Sequence, residues 1–181
     1  MKNRRIFVEK YPRFQVEADT LRRELNANLG LNIETLRYIN VYDLFGFSDE
    51  LLERSRYSVF GEVVTDLVSD ECDIASQPHL AVEFLPGQFD QRAASAVDCV
   101  HLIDPNADVR IKSSRLLIFD NGVSAEDMAR IEKYYINTVE SRRKNLDVLT
   151  DMESAEVRPV AVLDGFREMK DEELAVYCKE N

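Results

Sequence analysis

The stretch that decides the fold is residues 79–102, HLAVEFLPGQFDQRAASAVDCVHL. Its first seven residues, His79 to Leu85, mix apolar and β-branched side chains as a strand does. Pro86 and Gly87 then break the strand, since Pro presets a turn and Gly tolerates a positive φ. Asp90 stands where a helix N-cap is wanted, because its carboxylate can accept the free backbone N–H groups of a first turn. A helix is predicted from Gln91 to about Leu102, with Ala93, Ala96, Val97 and Val100 at core spacing. Cys99 is placed on that inward face as a structural thiol. Glu83 and Arg92 are candidates for an ion pair across the turn.

Working outward, the same order occurs on both sides. Upstream, Arg5 to Glu9 reads as a strand. A helix follows from about Val16 to Leu29 on Ala18, Leu21, Leu25 and Leu29, and Gly30 ends it. A strand from about Leu36 to Leu44 comes next, then a short helix from Asp49 to about Tyr57 capped by Ser48. Downstream, a strand covers Val109 to Phe119. Ser124 opens a capping box with Glu126 and Asp127, and that helix ends near Asn137.

Phe14 aligns with Phe89, Ala18 with Ala93 and Leu25 with Val100, an offset of about 75 residues. Tyr42-Asp43 aligns with Phe119-Asp120, and Ser48 with Ser124. Two strand-helix-strand-helix units therefore make up residues 1–140, with halves at about 4–60 and 78–138. The expected fold class is α+β: one mainly antiparallel sheet with helices on one face and pseudo-twofold symmetry. Residues 141–181 read as a linker and the start of a further domain. Within it, residues 140–156 are polar linker or partly solvated helix, and Val157 to Leu163 is an extended run. An amphipathic helix begins at Met169 and looks cut at Asn181.

The chain has 181 residues, with Asp+Glu 34 against Lys+Arg 23 and a net charge of −11. That balance argues against nucleic acid as a partner, because phosphate-backbone binding needs a basic face. No apolar run approaches a membrane span. Cys72, Cys99 and Cys178 form no CxxC pair, and reduced thiols fit a cytoplasmic protein. Neither GxGxxG nor GxxxxGK[ST] occurs, so no phosphate loop of either type and no cofactor site is expected. His79 and His101 lie on different elements, and no catalytic triad is legible. Glu62, Asp66, Asp70, Glu71 and Asp73 read as a solvated acidic crossover, with a metal site as the less favoured reading.

The segment Val82 to Ala96 resembles the N-terminal, small-subunit-like (PurS-like) domain of large, single-chain phosphoribosylformylglycinamidine synthases. Three other stretches resemble the same family. They are Val8-Glu9-Lys10 with Phe14, Glu17, Ala18 and Leu21; Lys133 through Arg142, where the family is expected to have Pro at the position of Thr138; and Gly165-Phe166-Arg167 with Met169 and Glu172-Glu173-Leu174, which is similar to the start of its linker domain. The resemblance implies a parent enzyme that makes formylglycinamidine ribonucleotide from formylglycinamide ribonucleotide, glutamine and ATP. ATP and magnesium would belong to its synthetase domain and a Cys-His-Glu triad to its glutaminase domain. Those two domains are the implied partners, and this chain would dock and couple them without catalysis of its own.

The residues expected at that interface are Pro86, Gly87, Gln88, Asp90, Gln91 and Arg92, because core packing does not require polar side chains together at a helix start. Two other readings compete. A regulatory small-molecule sensor would favour a glycine turn in both halves, but Pro12 stands where Gly87 would repeat. A free-standing oligomeric adaptor is the third. Loss of the Asp90 cap should cost ~1 kcal/mol, and Arg92→Ala should stay within about 0.5 kcal/mol.

Overall fold

A computed structural model describes residues 3–74 and 77–149, with isolated positions between 166 and 177. The run 157–163 and most of the helix expected from Met169 lie outside the described residues. The first unit contains β1 (Arg4–Lys10), α1 (Val16–Leu29), β2 (Leu36–Phe45), α2 (Asp49–Ser55) and β3 (Asp66–Ser69). The second contains β4 (His79–Phe84), α3 (Gln91–Ile103), β5 (Arg110–Phe119), α4 (Ala125–Tyr135) and β6 (Ser141–Arg143). A π-helical turn, Arg56–Phe60, extends α2.

The class is α+β, with one antiparallel sheet in the order β3-β1-β2-β5-β4-β6. That order reads alike from either end once β1, β2 and β3 are exchanged with β4, β5 and β6. The register repeats the exchange residue by residue. Val8 pairs with Asn40 and Val68; Val82 pairs with Arg115 and Arg143. Asn40 and Arg115 also pair with each other across the β2–β5 seam, so the exchange centres on them. The register makes Tyr42 the counterpart of Leu117. The sequence match of Tyr42-Asp43 with Phe119-Asp120 is therefore two residues out of step.

Strand alternation separates two faces. On one, Leu21 and Leu25 of α1 and Ile131 of α4 pack on Leu36, Leu80, Val82, Leu117 and Phe119. On the same face, Leu51 and Leu52 of α2 and Ala93, Ala96 and Val100 of α3 pack on Ile6, Val8, Tyr42, Leu44 and Ile111. All four helices thus share a face. Each local signal has its physical cause: Gly30 closes α1 at φ 63°, and the Ser48 and Ser124 hydroxyls accept the N–H groups of Leu51 and Asp127. Gly46 turns β2 toward α2 at φ 81°, where a Cβ would lie 2.2 Å from the Asp108 carbonyl oxygen.

The opposite face carries Phe7, Ile39, Val41, Ala81, Leu116 and Ile118, covered by Cys72 and Ile74 after β3 and Leu146 after β6. A buried ion network clamps the second of these segments. Asp43 accepts Arg5 at 2.6 Å and Lys144 at 2.6 Å, and Lys144 also reaches Glu83 at 3.4 Å. Arg5 further donates to the carbonyls of Leu146 and Val148. The linker or partly solvated helix expected from Glu140 is instead sheet at its start: residues 141–143 pair with β4 and Lys144 is buried. The supposed acidic crossover likewise contains β3, with Asp66 buried against Lys10 at 3.0 Å.

Candidate functional site

The β4–β5 ladder runs to Glu83 opposite Ser114, and there β4 parts from β5 while still pairing with β6 through Phe84 and Ser141. Leu85 to Gln88 form a turn closed by the Gln88 N–H on the Leu85 carbonyl at 3.0 Å, with Gly87 at φ 88°. Pro at the second and Gly at the third position suit a type II turn, which needs a positive φ there. The turn is fastened to the segment after α4: Leu85 N–H donates to the Glu140 carbonyl at 2.9 Å and the Gln88 amide to that of Val139 at 3.3 Å.

Asp90 does more than cap. Its Oδ1 accepts the Ala93 N–H at 2.9 Å and the Ser113 hydroxyl at 2.8 Å, while Oδ2 accepts the Ser113 N–H at 2.7 Å. The carboxylate therefore replaces the strand partner that β5 loses where β4 turns away. Asp90 points inward, and Pro86, Gly87, Gln88, Gln91 and Arg92 are exposed. Phe89, the repeat counterpart of Phe14 and absent from the interface residues expected from sequence, is 74% exposed at the tip. An aromatic residue between Gln88 and the cap was the available signal.

Beside the turn lies a cleft of about 610 Å³. Tyr42, Val82, Phe84, Ser113 and Arg115 of the sheet and Arg92, Ser95 and Cys99 of α3 line it. Arg92 reaches the Tyr42 hydroxyl at 3.4 Å, and the Arg115 guanidinium sits 6.0 Å from the Phe84 ring centre. Burial opposes the charge of both guanidiniums, yet both are held above their ordinary value. Tyr42 does this for Arg92, and the phenols of Tyr38 and Tyr135 for Arg115, with Glu17 of α1 acting on both. Tyr38 in turn is raised by burial and then by Tyr135.

Two sequence expectations fail here. Glu83 does not meet Arg92, because strand alternation puts Glu83 on the face opposite the helices; it takes Arg142 at 2.9 Å and Lys144 instead. Cys99 is exposed on the cleft wall rather than buried. The inward line 93–96–100 leaves position 99 about 100° away from Val100. His101 and His79 each rest a ring nitrogen on a nearby carbonyl, of Ala107 and Gln77. Among the described residues, no group of three or more His, Cys, Asp or Glu converges to hold a metal ion. Nor is any helix there long and apolar enough to cross a membrane.

Compared with protein-family models, curated proteins and solved structures, the chain matches none.

Proposed function

We propose that the chain is a non-catalytic docking and coupling module of a phosphoribosylformylglycinamidine synthase, acting in the cytoplasm in de novo purine biosynthesis. The observation that supports this most is the single sheet in which two three-stranded halves meet at the β2–β5 seam in matching register. Two copies of a small dimeric subunit would meet in that way, and one continuous chain can replace them. The segment with the closest family resemblance, 82–92, lies partly on an exposed turn that ends in Phe89. An exposed aromatic flanked by amides and a guanidinium suits a protein interface, where rigid aromatic anchors and directed donors concentrate. In this reading the turn meets the synthetase domain, which holds ATP and magnesium, and links it to the glutaminase domain.

The test adds the purified chain to a synthetase and a glutaminase of this enzyme type that lack their small-subunit component. Glutamine-dependent amidine formation should rise, while turnover with added ammonia should not change. Phe89→Ala should lower the amidine formed per glutamine consumed. A folded chain that neither binds the pair nor alters this ratio refutes the proposal.

A further inference from the structure

We propose that the cleft between α3 and the ends of β4 and β6 is a binding site for a phosphorylated small molecule, its phosphate held by Arg92 and Arg115. Two departures from local preference meet in this one cavity. The first is Arg92, the second residue of α3. The partial positive charge at a helix start favours acids. Accordingly α1 has Glu17 and Asp19 in its first turn, α2 has Asp49 and Glu50, and α4 has Glu126 and Asp127. Helix α3 has no acid in its first turn, and its capping carboxylate is already occupied by Ala93 and Ser113.

The second is Arg115, midway along a central strand on the face that the helices cover. Its neighbours on that face, Ser113 and Leu117, are buried, yet Arg115 is exposed. The helix layer is open above it, and a charged side chain stands in the opening. Neither Arg92 nor Arg115 forms an ion pair among the described residues, whereas Arg5, Arg37 and Arg56 each have a carboxylate within 3.0 Å. Among the described residues, Glu83 is the only carboxylate lining the cleft, and Arg142 and Lys144 already hold it. Two guanidiniums with phenol partners but no ion pair, in a walled cleft of a chain with net charge −11, mark a place for an anion.

The remaining lining sets the ligand class. Guanidiniums match phosphate oxygens in pairs. The Ser95 hydroxyl lies in the same cleft, that of Ser113 being already given to Asp90, and the ring of Phe84 offers flat apolar surface. A phosphate ester with a planar ring, such as a mononucleotide, uses all of these. The volume of about 610 Å³ falls in the usual range for small-molecule sites. This inference does not depend on the proposed function.

The test titrates the whole chain with AMP, ribose 5-phosphate, inorganic phosphate and adenosine, followed by calorimetry and by amide chemical shifts. AMP should bind most tightly and adenosine least. Arg92→Gln and Arg115→Gln should each weaken AMP binding at least tenfold, with circular dichroism unchanged. Arg13→Gln, an exposed site in another part of the fold, should leave binding unaltered. Adenosine binding as well as AMP, equal loss in Arg13→Gln, or no binding of any phosphate at millimolar concentration would each overturn the proposal.

Discussion

Replacing Asp90 by Ala should destabilise the fold by about 3 kcal/mol, well beyond the loss of a cap alone. The cap bond to the Ala93 N–H contributes ~1 kcal/mol. The other two bonds go to Ser113, which is buried. A hydrogen bond to a charged group contributes about 1.5–3 kcal/mol, and a buried donor left without a partner costs about 1–3 kcal/mol. These terms overlap, because removing one side chain breaks all three bonds together; about 3 kcal/mol is their joint size. Asp90→Asn separates them. An amide oxygen at the Oδ1 position keeps Ala93 and the Ser113 hydroxyl and fails only at the Ser113 N–H, so its cost should be about 1–1.5 kcal/mol. Urea unfolding followed by circular dichroism measures both, and thermal midpoints should fall by roughly 2–4 °C per kcal/mol for a chain of this size. A cost of 1 kcal/mol or less for Asp90→Ala would mean that the link to β5 contributes nothing. Equal costs for the two variants would refute the division between Oδ1 and Oδ2.

Asp43→Ala leaves the half-buried Arg5 and the buried Lys144 without their shared carboxylate and should cost about 3–5 kcal/mol; Lys144→Met leaves Asp43 paired with Arg5 and should cost less, about 2 kcal/mol. The comparison of urea midpoints checks the order, and a reversed order contradicts the network. Gly46→Ala combines φ 81° with a 2.2 Å approach to the Asp108 carbonyl and should cost more than about 2 kcal/mol in the same assay, whereas an unstrained surface change would cost under about 0.5. Asp120 accepts backbone N–H groups of Glu34, Thr35 and Gly122, which lower it below the ordinary aspartate range although burial alone would raise it. A lowered carboxylate stabilises the fold above its unfolded value and loses that contribution as pH falls through the folded one. Stability should therefore fall more steeply from about pH 5 to 3 in the wild type than in Asp120→Asn, and parallel slopes would contradict this.

Elements whose signals are local are legible in the sequence alone. The run from Val16 to Gly30 contains its apolar spacing and its left-handed stop within fifteen residues, and α1 occupies Val16–Leu29. Ser48, Ser124 and Asp90 announce helix starts because a cap is a contact between residues three apart. The turn at Pro86-Gly87 needs only the conformational preferences of those two residues. Placing four helices on one face followed from such elements, since each presents one apolar stripe and a sheet is the surface that can take it.

Tertiary structure decided what depends on partners distant in the chain. Strands β3 and β6 are four and three residues long; β6, Ser-Arg-Arg, carries no strand signal of its own, and in β3 the pair Leu67-Val68 is too short to set one apart from the acids around it. They are strands because β1 and β4 have a free edge for them to pair with, as Val68 with Val8 and Arg143 with Val82. Nearness in sequence suggests Glu83 with Arg92, but pleating sends Glu83 to the other face, toward Lys144 sixty-one positions away. The second role of Asp90 requires Ser113, brought to it by a ladder whose length no local pattern sets. The cleft itself arises where a helix stands apart from a sheet, and Arg92 and Arg115 share it only because α3 is laid across β5. Sequence by itself determined the elements and the stripe each must bury; the sheet's register determined which charges were buried, which were paired and which were left facing open space.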